Sequence, residues 1–128
     1  MNSYVVSPKI IPPTSFYSHA VGVAAGARIL FASGQIAVSP DGACPPDFAS
    51  QARQCWKNLE AVLEEAGMTM ENVVKVQGFV TRVQDLKEYR DIRNEAVGEL
   101  RPAHTLLVVA ALGRPEWLVE LEAVAAKE

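Results

Sequence analysis

Apolar residues recur at the spacing of an α-helix in the segment FASQARQCWKNLEAVLEEAGM. The repeated apolar positions are Ala52, Cys55, Leu59, Val62, Leu63 and Ala66. Asp47 is positioned to cap this helix, because its carboxylate accepts hydrogen bonds from the free N–H groups of a first helical turn. Gly67 is positioned to end it, since glycine readily adopts the backbone conformation that closes many helices.

A second helix is predicted from Leu86 to about Leu100, with Asp85 as its cap and Pro102 as its end. Its apolar side consists of Leu86, Tyr89, Ile92, Ala96 and Leu100. Between the two helices, Thr69 is expected to cap one short turn.

The remaining apolar segments have the composition of β-strands. Residues 17–23 and 28–38 are predicted to form a hairpin, and residues 73–83 a single strand. The segment RPAHTLLVVAALGRPEWLVELEAVA is predicted to form two strands joined by a tight turn at residues 113–115. The order predicts one α+β domain, residues 1–128, with two helices and a mixed sheet of roughly five strands.

The predicted strands are apolar on both faces, whereas two helices are enough to cover only one face. In the last strand, Val119 and Leu121 point one way, and Glu120 and Glu122 point the other way. An exposed sheet face would alternate apolar with polar residues, and leaving Leu, Val or Ile in water forgoes about 1.5–3 kcal/mol for each side chain. We therefore expect a homo-oligomer whose interface uses the face bearing Glu120, with His104 on the same face. The alternative is a flattened monomer whose exposed patch binds another protein.

Composition limits the classes of partner and compartment. The chain has 128 residues, 49% of them apolar, and a net charge of −3 without a run of Lys or Arg, which argues against a nucleic-acid partner. No apolar stretch has the length of a membrane span, and the first residues do not resemble a secretory signal, so a cytoplasmic location is expected. Cys44 and Cys55 belong to no metal-binding motif and are expected to be reduced thiols.

Several of these segments together resemble the RidA family, also called the YjgF or reactive intermediate deaminase family. They are FYSHAVGV, FASGQIAV, QARQCWKNLEAVLEEAGM, VVKVQGFVTRVQDLKEY, RPAHTLLVVAAL and LVELEAVA. The resemblance implies a chorismate mutase-like fold of the bacillus type, in which two helices pack on one face of a mixed sheet. It also implies a homotrimer with clefts between subunits, and hydrolysis of imines or enamines derived from amino acids, with release of ammonia and no cofactor or metal.

The resemblance also implies roles for individual residues. Glu120 matches the glutamate that positions the attacking water, and Tyr17 matches a tyrosine of the cleft. The substrate-binding residues implied are Tyr17, Ser33, Gly34, Thr105 and Leu106. His104 stands where deaminating members have an arginine that binds the substrate carboxylate.

Three interpretations of His104 follow from this difference. Histidine offers one donor toward a given ligand and is mostly neutral near pH 7, so it lacks the charged fork of arginine. His104 is then a general acid or base acting with Glu120 on a different imine, a residue of a cleft that binds a metabolite without chemistry, or a structural residue. The sequence therefore predicts an imine or enamine hydrolase of altered specificity, with a non-catalytic metabolite-binding trimer as the alternative.

Overall fold

The computed structural model describes residues 1–128, which form six strands and two α-helices. The strands are β1 (Ser3–Val5), β2 (Ala20–Gly22), β3 (Arg28–Ile36), β4 (Val73–Val80), β5 (Ala103–Val108) and β6 (Val119–Lys127). The helices are α1 (Phe48–Glu65) and α2 (Leu86–Val97). Single turns of 3₁₀-helix, Met70–Asn72 and Val83–Asp85, precede β4 and α2. Neither α-helix is long and apolar enough to cross a membrane.

The main sheet has four strands in the order β3-β6-β4-β5. β6 runs antiparallel to both of its neighbours, and β5 runs parallel to β4. β1 and β2 form a separate antiparallel pair. The predicted α+β class, mixed sheet and two helices are therefore confirmed.

The two predicted hairpins are wrong. A turn does occur at Ala24–Ala27, but β2 pairs with β1, a strand that the sequence analysis missed. A turn also occurs at Arg114–Trp117, but β4 lies between the two strands that it was expected to join. Turn residues specify that the chain reverses direction, whereas strand pairing depends on contacts between distant segments.

The helix ends follow the sequence signals in part. Asp47 Oδ2 accepts a hydrogen bond from the Ser50 N–H at 2.9 Å, and Gly67 has a φ of +70°, as expected. The Asp85 carboxylate, by contrast, does not cap α2, because it binds the guanidinium of Arg82 at 2.7 Å. The helix ends at Val97, before Pro102, because Gly98 has a φ of +57°.

The alternation along β6 places one set of side chains in the core and the other on an uncovered face. The core set is Val119, Leu121, Ala123 and Ala125, all of them buried. On the face away from the helices, which we call the open face, Phe31 is 78% exposed and Leu107 is 41% exposed. The sheet therefore has the one apolar, uncovered face that the sequence pattern predicts.

Gln51 fixes the segment before β6 to the start of α1. This side chain is 1% exposed. Its Nε2 donates hydrogen bonds to the carbonyls of Pro45 and Glu116, and its Oε1 accepts one from the Leu118 N–H, all at 2.9 Å. One amide group thus satisfies three backbone groups from two loops.

We expect Gln51→Ala to lower the free energy of unfolding by about 2 kcal/mol or more, because it leaves buried backbone groups without partners. Urea unfolding would measure this as a lower midpoint at an unchanged m-value. The matched control is Gln84→Ala at an exposed position, which should change stability by less than about 0.5 kcal/mol. Equal effects of the two substitutions would contradict a structural role for Gln51.

Candidate functional site

A β-bulge shapes the middle of β3. The pairing of β3 with β6 is regular up to Ala32 and resumes at Gln35, so Ser33 and Gly34 stand opposite one residue, Glu122. A bulge of this kind bends its strand and changes the direction of nearby side chains. The Ser-Gly pair that the sequence analysis selected therefore forms the irregular part of the sheet.

The carboxylate of Glu120 rests on this bulge. Glu120 lies on the open face, opposite Ile36 of β3 and Phe79 of β4. Its carboxylate contacts Gly34 so closely that a Cβ at that position would overlap it. Glu120 takes part in no ion pair or side-chain hydrogen bond of the chain, and it is half-buried. The carboxylate is consequently free to accept a hydrogen bond from water or a ligand.

His104 lies on the other side of the sheet, in contact with α2. It pairs with Val76 of β4, and its Nε2 is 2.9 Å from the hydroxyl of Tyr89. Tyr89 is fully buried and lies against Gly78, where a Cβ would overlap its hydroxyl. Glycine at this position therefore makes room for the Tyr89–His104 pair.

Burial is the main cause of the low pKa of His104. Burial, together with the positive charges of Arg93 and Lys75, lowers this pKa from 6.5 to about 3. Burial also raises the pKa of Tyr89. Near neutral pH, the pair therefore consists of a neutral imidazole and a neutral phenol.

The expectation that His104 shares a face with Glu120 is wrong. β5 pairs in parallel with β4, in a register that turns His104 and Leu106 toward the helices. Phe79, the partner of Glu120, is three residues along β4 from Val76, the partner of His104. That separation is about 10 Å at the usual rise of a strand. Within one chain, Glu120 and His104 do not come together.

The other predicted site residues divide between these two regions. Thr105 lies on the open face, where its Oγ1 accepts a hydrogen bond from Lys75 Nζ at 2.8 Å. Leu106 is half-buried against the core. Tyr17 lies before β2 and, with Ser15 and its neighbours, lines a cleft of about 480 Å³.

Arg93 is a residue that the sequence analysis missed. It is 4% exposed, and its Nη2 donates to Ser15 Oγ at 2.5 Å. A signal was present, because Arg93 lies four residues after Tyr89 and seven after Leu86, within the apolar stripe of α2. An arginine at such a position is directed into the protein.

A second groove lies on the open face. It has a volume of about 240 Å³, and Phe31, Lys75, Gln77 and Glu122 are among its lining residues. No group of three or more His, Cys, Asp or Glu side chains is arranged to hold a metal ion.

Comparison with known proteins covers almost the whole chain. The sequence profile of the family described as Endoribonuclease L-PSP matches residues 8–127. A RutC family protein of Aquifex aeolicus is 36% identical over 126 residues, which are 96% of this chain and 98% of that protein. A RutC family protein of Pyrococcus abyssi is 33% identical over 124 residues, covering 95% of this chain and 92% of that protein.

Solved structures agree with the sequence matches. The Rid family protein YyfB of Yersinia pestis, described as of unknown function, has a TM-score of 0.89 at 30% identity and covers 98% of both chains. A Thermotoga maritima protein described as a putative endoribonuclease has a TM-score of 0.75 at 32% identity, covering 100% of this chain and 99% of that one. Because profile, relatives and fold coincide over nearly the full length, the chain belongs to the RidA/YjgF family.

Proposed function

We propose that this protein hydrolyses an imine or enamine of a small metabolite to a carbonyl compound and ammonia, with Glu120 as the catalytic carboxylate. One observation carries the proposal. Glu120 is half-buried without any cationic partner, and its carboxylate is held over the bulge at Gly34. A carboxylate kept in this state is a candidate for proton transfer, because structural carboxylates away from water are usually paired.

The reaction needs one group that accepts a proton and later returns it. Water attacks the C=N carbon while Glu120 takes one proton from it and passes that proton to the nitrogen, which gives a carbinolamine. Glu120 then takes the hydroxyl proton of the carbinolamine and delivers it to the nitrogen, so that the C–N bond breaks and a carbonyl compound and ammonia are released. Water supplies the oxygen, so this balance requires no oxidant, reductant or metal.

Self-association completes the proposed site. Phe31 and Leu107 leave the open face apolar and uncovered, and further copies of the chain would bury it. The family resemblance implies a trimer of the chorismate mutase-like type with clefts between subunits. In such a cleft, Ser33, Gly34 and Glu120 of one copy would face residues that a single chain holds elsewhere, including Tyr17 and Thr105.

His104 is proposed to act as a neutral positioning residue that takes no part in proton transfer. Its pKa of about 3 leaves it uncharged at the pH of the reaction, and its Nε2 is engaged by Tyr89. Of the three interpretations open to the sequence, this geometry favours the structural one for the side chain. The wall of the cleft contributed by β5 would then depend on the His104–Tyr89 contact.

The alternative is a trimer that binds a metabolite without chemistry. The neutral state of His104 favours it, because the charged carboxylate-binding arginine of deaminating members is absent from this position. The family description as an endoribonuclease receives no comparable support. The net charge of −3 opposes a polyanionic substrate, and the carboxylate of Glu120 would repel a phosphate backbone.

We expect Glu120→Gln to reduce ammonia release by at least about 100-fold, since the amide cannot accept the proton of the attacking water. The assay would use imines formed in situ by an amino acid oxidase acting on a panel of amino acids. Glu64→Gln, an equal change of charge at an exposed position of α1, is the control and should retain full activity. A folded protein that releases ammonia from no imine of the panel would support the non-catalytic alternative.

We expect Phe31→Asp to weaken self-association, because burial of a charge in the proposed interface replaces apolar contact worth about 2 kcal/mol. Sedimentation velocity at micromolar concentration would then show a shift toward the single chain. Val83→Asp is the control, since Val83 is 70% exposed outside the sheet. A wild-type protein that sediments as one copy would refute the assembly.

We expect the pH dependence of stability to report the half-buried, neutral state of His104. The unfolded chain protonates this imidazole near pH 6.5 and the folded chain only near pH 3, so the unfolded state binds more protons in between. Stability should therefore fall as the pH is lowered through this window, by at most about 1.4 kcal/mol per pH unit. His104→Gln should lose that part of the slope. Titration of the His104 ring by NMR, assigned with the help of His19→Gln, would contradict the prediction if it showed protonation near pH 6.5.

A further inference from the structure

Arg93 carries a buried positive charge without an acidic partner. The residue is 4% exposed, and none of the ion pairs of the chain includes it. Its hydrogen bonds go to two neutral groups, the hydroxyl of Ser15 and the side-chain oxygen of Asn94. Burying a charge is unfavourable unless an opposite charge compensates it. Arg93 therefore lacks an anionic partner.

The guanidinium also retains donors that the chain does not use. Nε and Nη2 account for all of its hydrogen bonds, which leaves Nη1 without an acceptor. Nη1 of Arg93 is not fully enclosed by the protein. The one fully enclosed side-chain nitrogen or oxygen without a partner is Trp56 Nε1. A charged guanidinium nitrogen with unused donors is suited to a carboxylate oxygen, which it binds through a charge-assisted hydrogen bond.

The groups around Arg93 are neutral or positive. The titratable groups that act on Arg93 are Tyr89, Arg90 and Tyr17. No Asp or Glu is among the groups that influence Arg93. Arg93 therefore has no acidic neighbour, and its hydrogen bond to Ser15 places it next to the cleft that is lined by Ser15, Tyr17 and Arg101.

We propose that Arg93 binds the carboxylate of an anionic ligand and so supplies, from α2, the positive charge that position 104 of β5 lacks. The assignment of this ligand as an imine bearing a carboxylate rests on the proposed function; the carboxylate site itself does not. A ligand held by Arg93 would contact the segment that contains Ser15 and Tyr17. The protein would then discriminate against neutral imines, because these leave the guanidinium unpaired.

The test compares a stable 2-keto acid, phenylpyruvate, with its methyl ester, which has the same shape without the charge. Titration calorimetry should show that the wild-type protein binds the acid at least tenfold more tightly than the ester. Arg93→Gln should remove this preference through a loss of at least tenfold in affinity for the acid. Arg90→Gln is the matched control, because Arg90 is an exposed arginine on the same helix, and it should leave both affinities unchanged.

A measurement on the wild-type protein keeps the test valid if Arg93→Gln does not fold. With ¹⁵N-labelled arginine, the side-chain signals of Arg93 should shift on titration with phenylpyruvate and not with the ester. Arg93→Lys, which keeps the charge but moves the donor, should fall between the wild type and Arg93→Gln in affinity. Equal binding of acid and ester, or unperturbed Arg93 signals at saturation, would overturn the proposal.

The two proposals fail in different ways. If Arg93 binds the acid but no imine is hydrolysed, the proposed reaction is wrong and the carboxylate site remains. If imines are hydrolysed with dependence on Glu120 and the same KM in the wild type and Arg93→Gln, the carboxylate site is wrong and the reaction remains. If both are right, Arg93→Gln should mainly raise KM, and Glu120→Gln should mainly lower kcat.

Discussion

The alternation of side chains along β6 is the constraint on which the rest of the structure depends. β6 lies between β3 and β4, so its inward residues, such as Leu121, form the centre of the core. The same geometry directs Glu120 and Glu122 to the open face. A shift of register by one residue would bury both carboxylates and expose the core, so the core fixes the position of Glu120 as firmly as it fixes its own packing.

Glycine then determines how closely the polar groups approach the sheet. Gly34 admits the carboxylate of Glu120 on the open face, and Gly78 admits the hydroxyl of Tyr89 on the helix side. Any larger residue at either position would displace a side chain of the candidate site. On each face of the sheet, the absence of a Cβ at one glycine thus leaves the space that a polar group occupies.

Local signals in the sequence predicted the elements well and their arrangement poorly. The cap at Asp47, the end at Gly67 and the buried face of β6 depend on neighbouring residues, and these are correct. The partner of β2 and the separation of β5 from β6 depend on contacts between distant segments. The family motifs select Glu120 and the Ser-Gly pair, whose roles stay predictions, whereas the side of the sheet that His104 occupies depends on the parallel pairing of β5.

The two residues for which chemistry is proposed carry charges that the surrounding protein does not compensate. Gln51 is buried but satisfies every group that it meets, so it contributes to stability. Glu120 and Arg93 are charged and lack charged partners, although each would neutralise the other if they met. The fold keeps them on opposite sides of the sheet. A protein that maintains two uncompensated charges forgoes stability at both, and such conflicts are expected where a ligand supplies the missing partner.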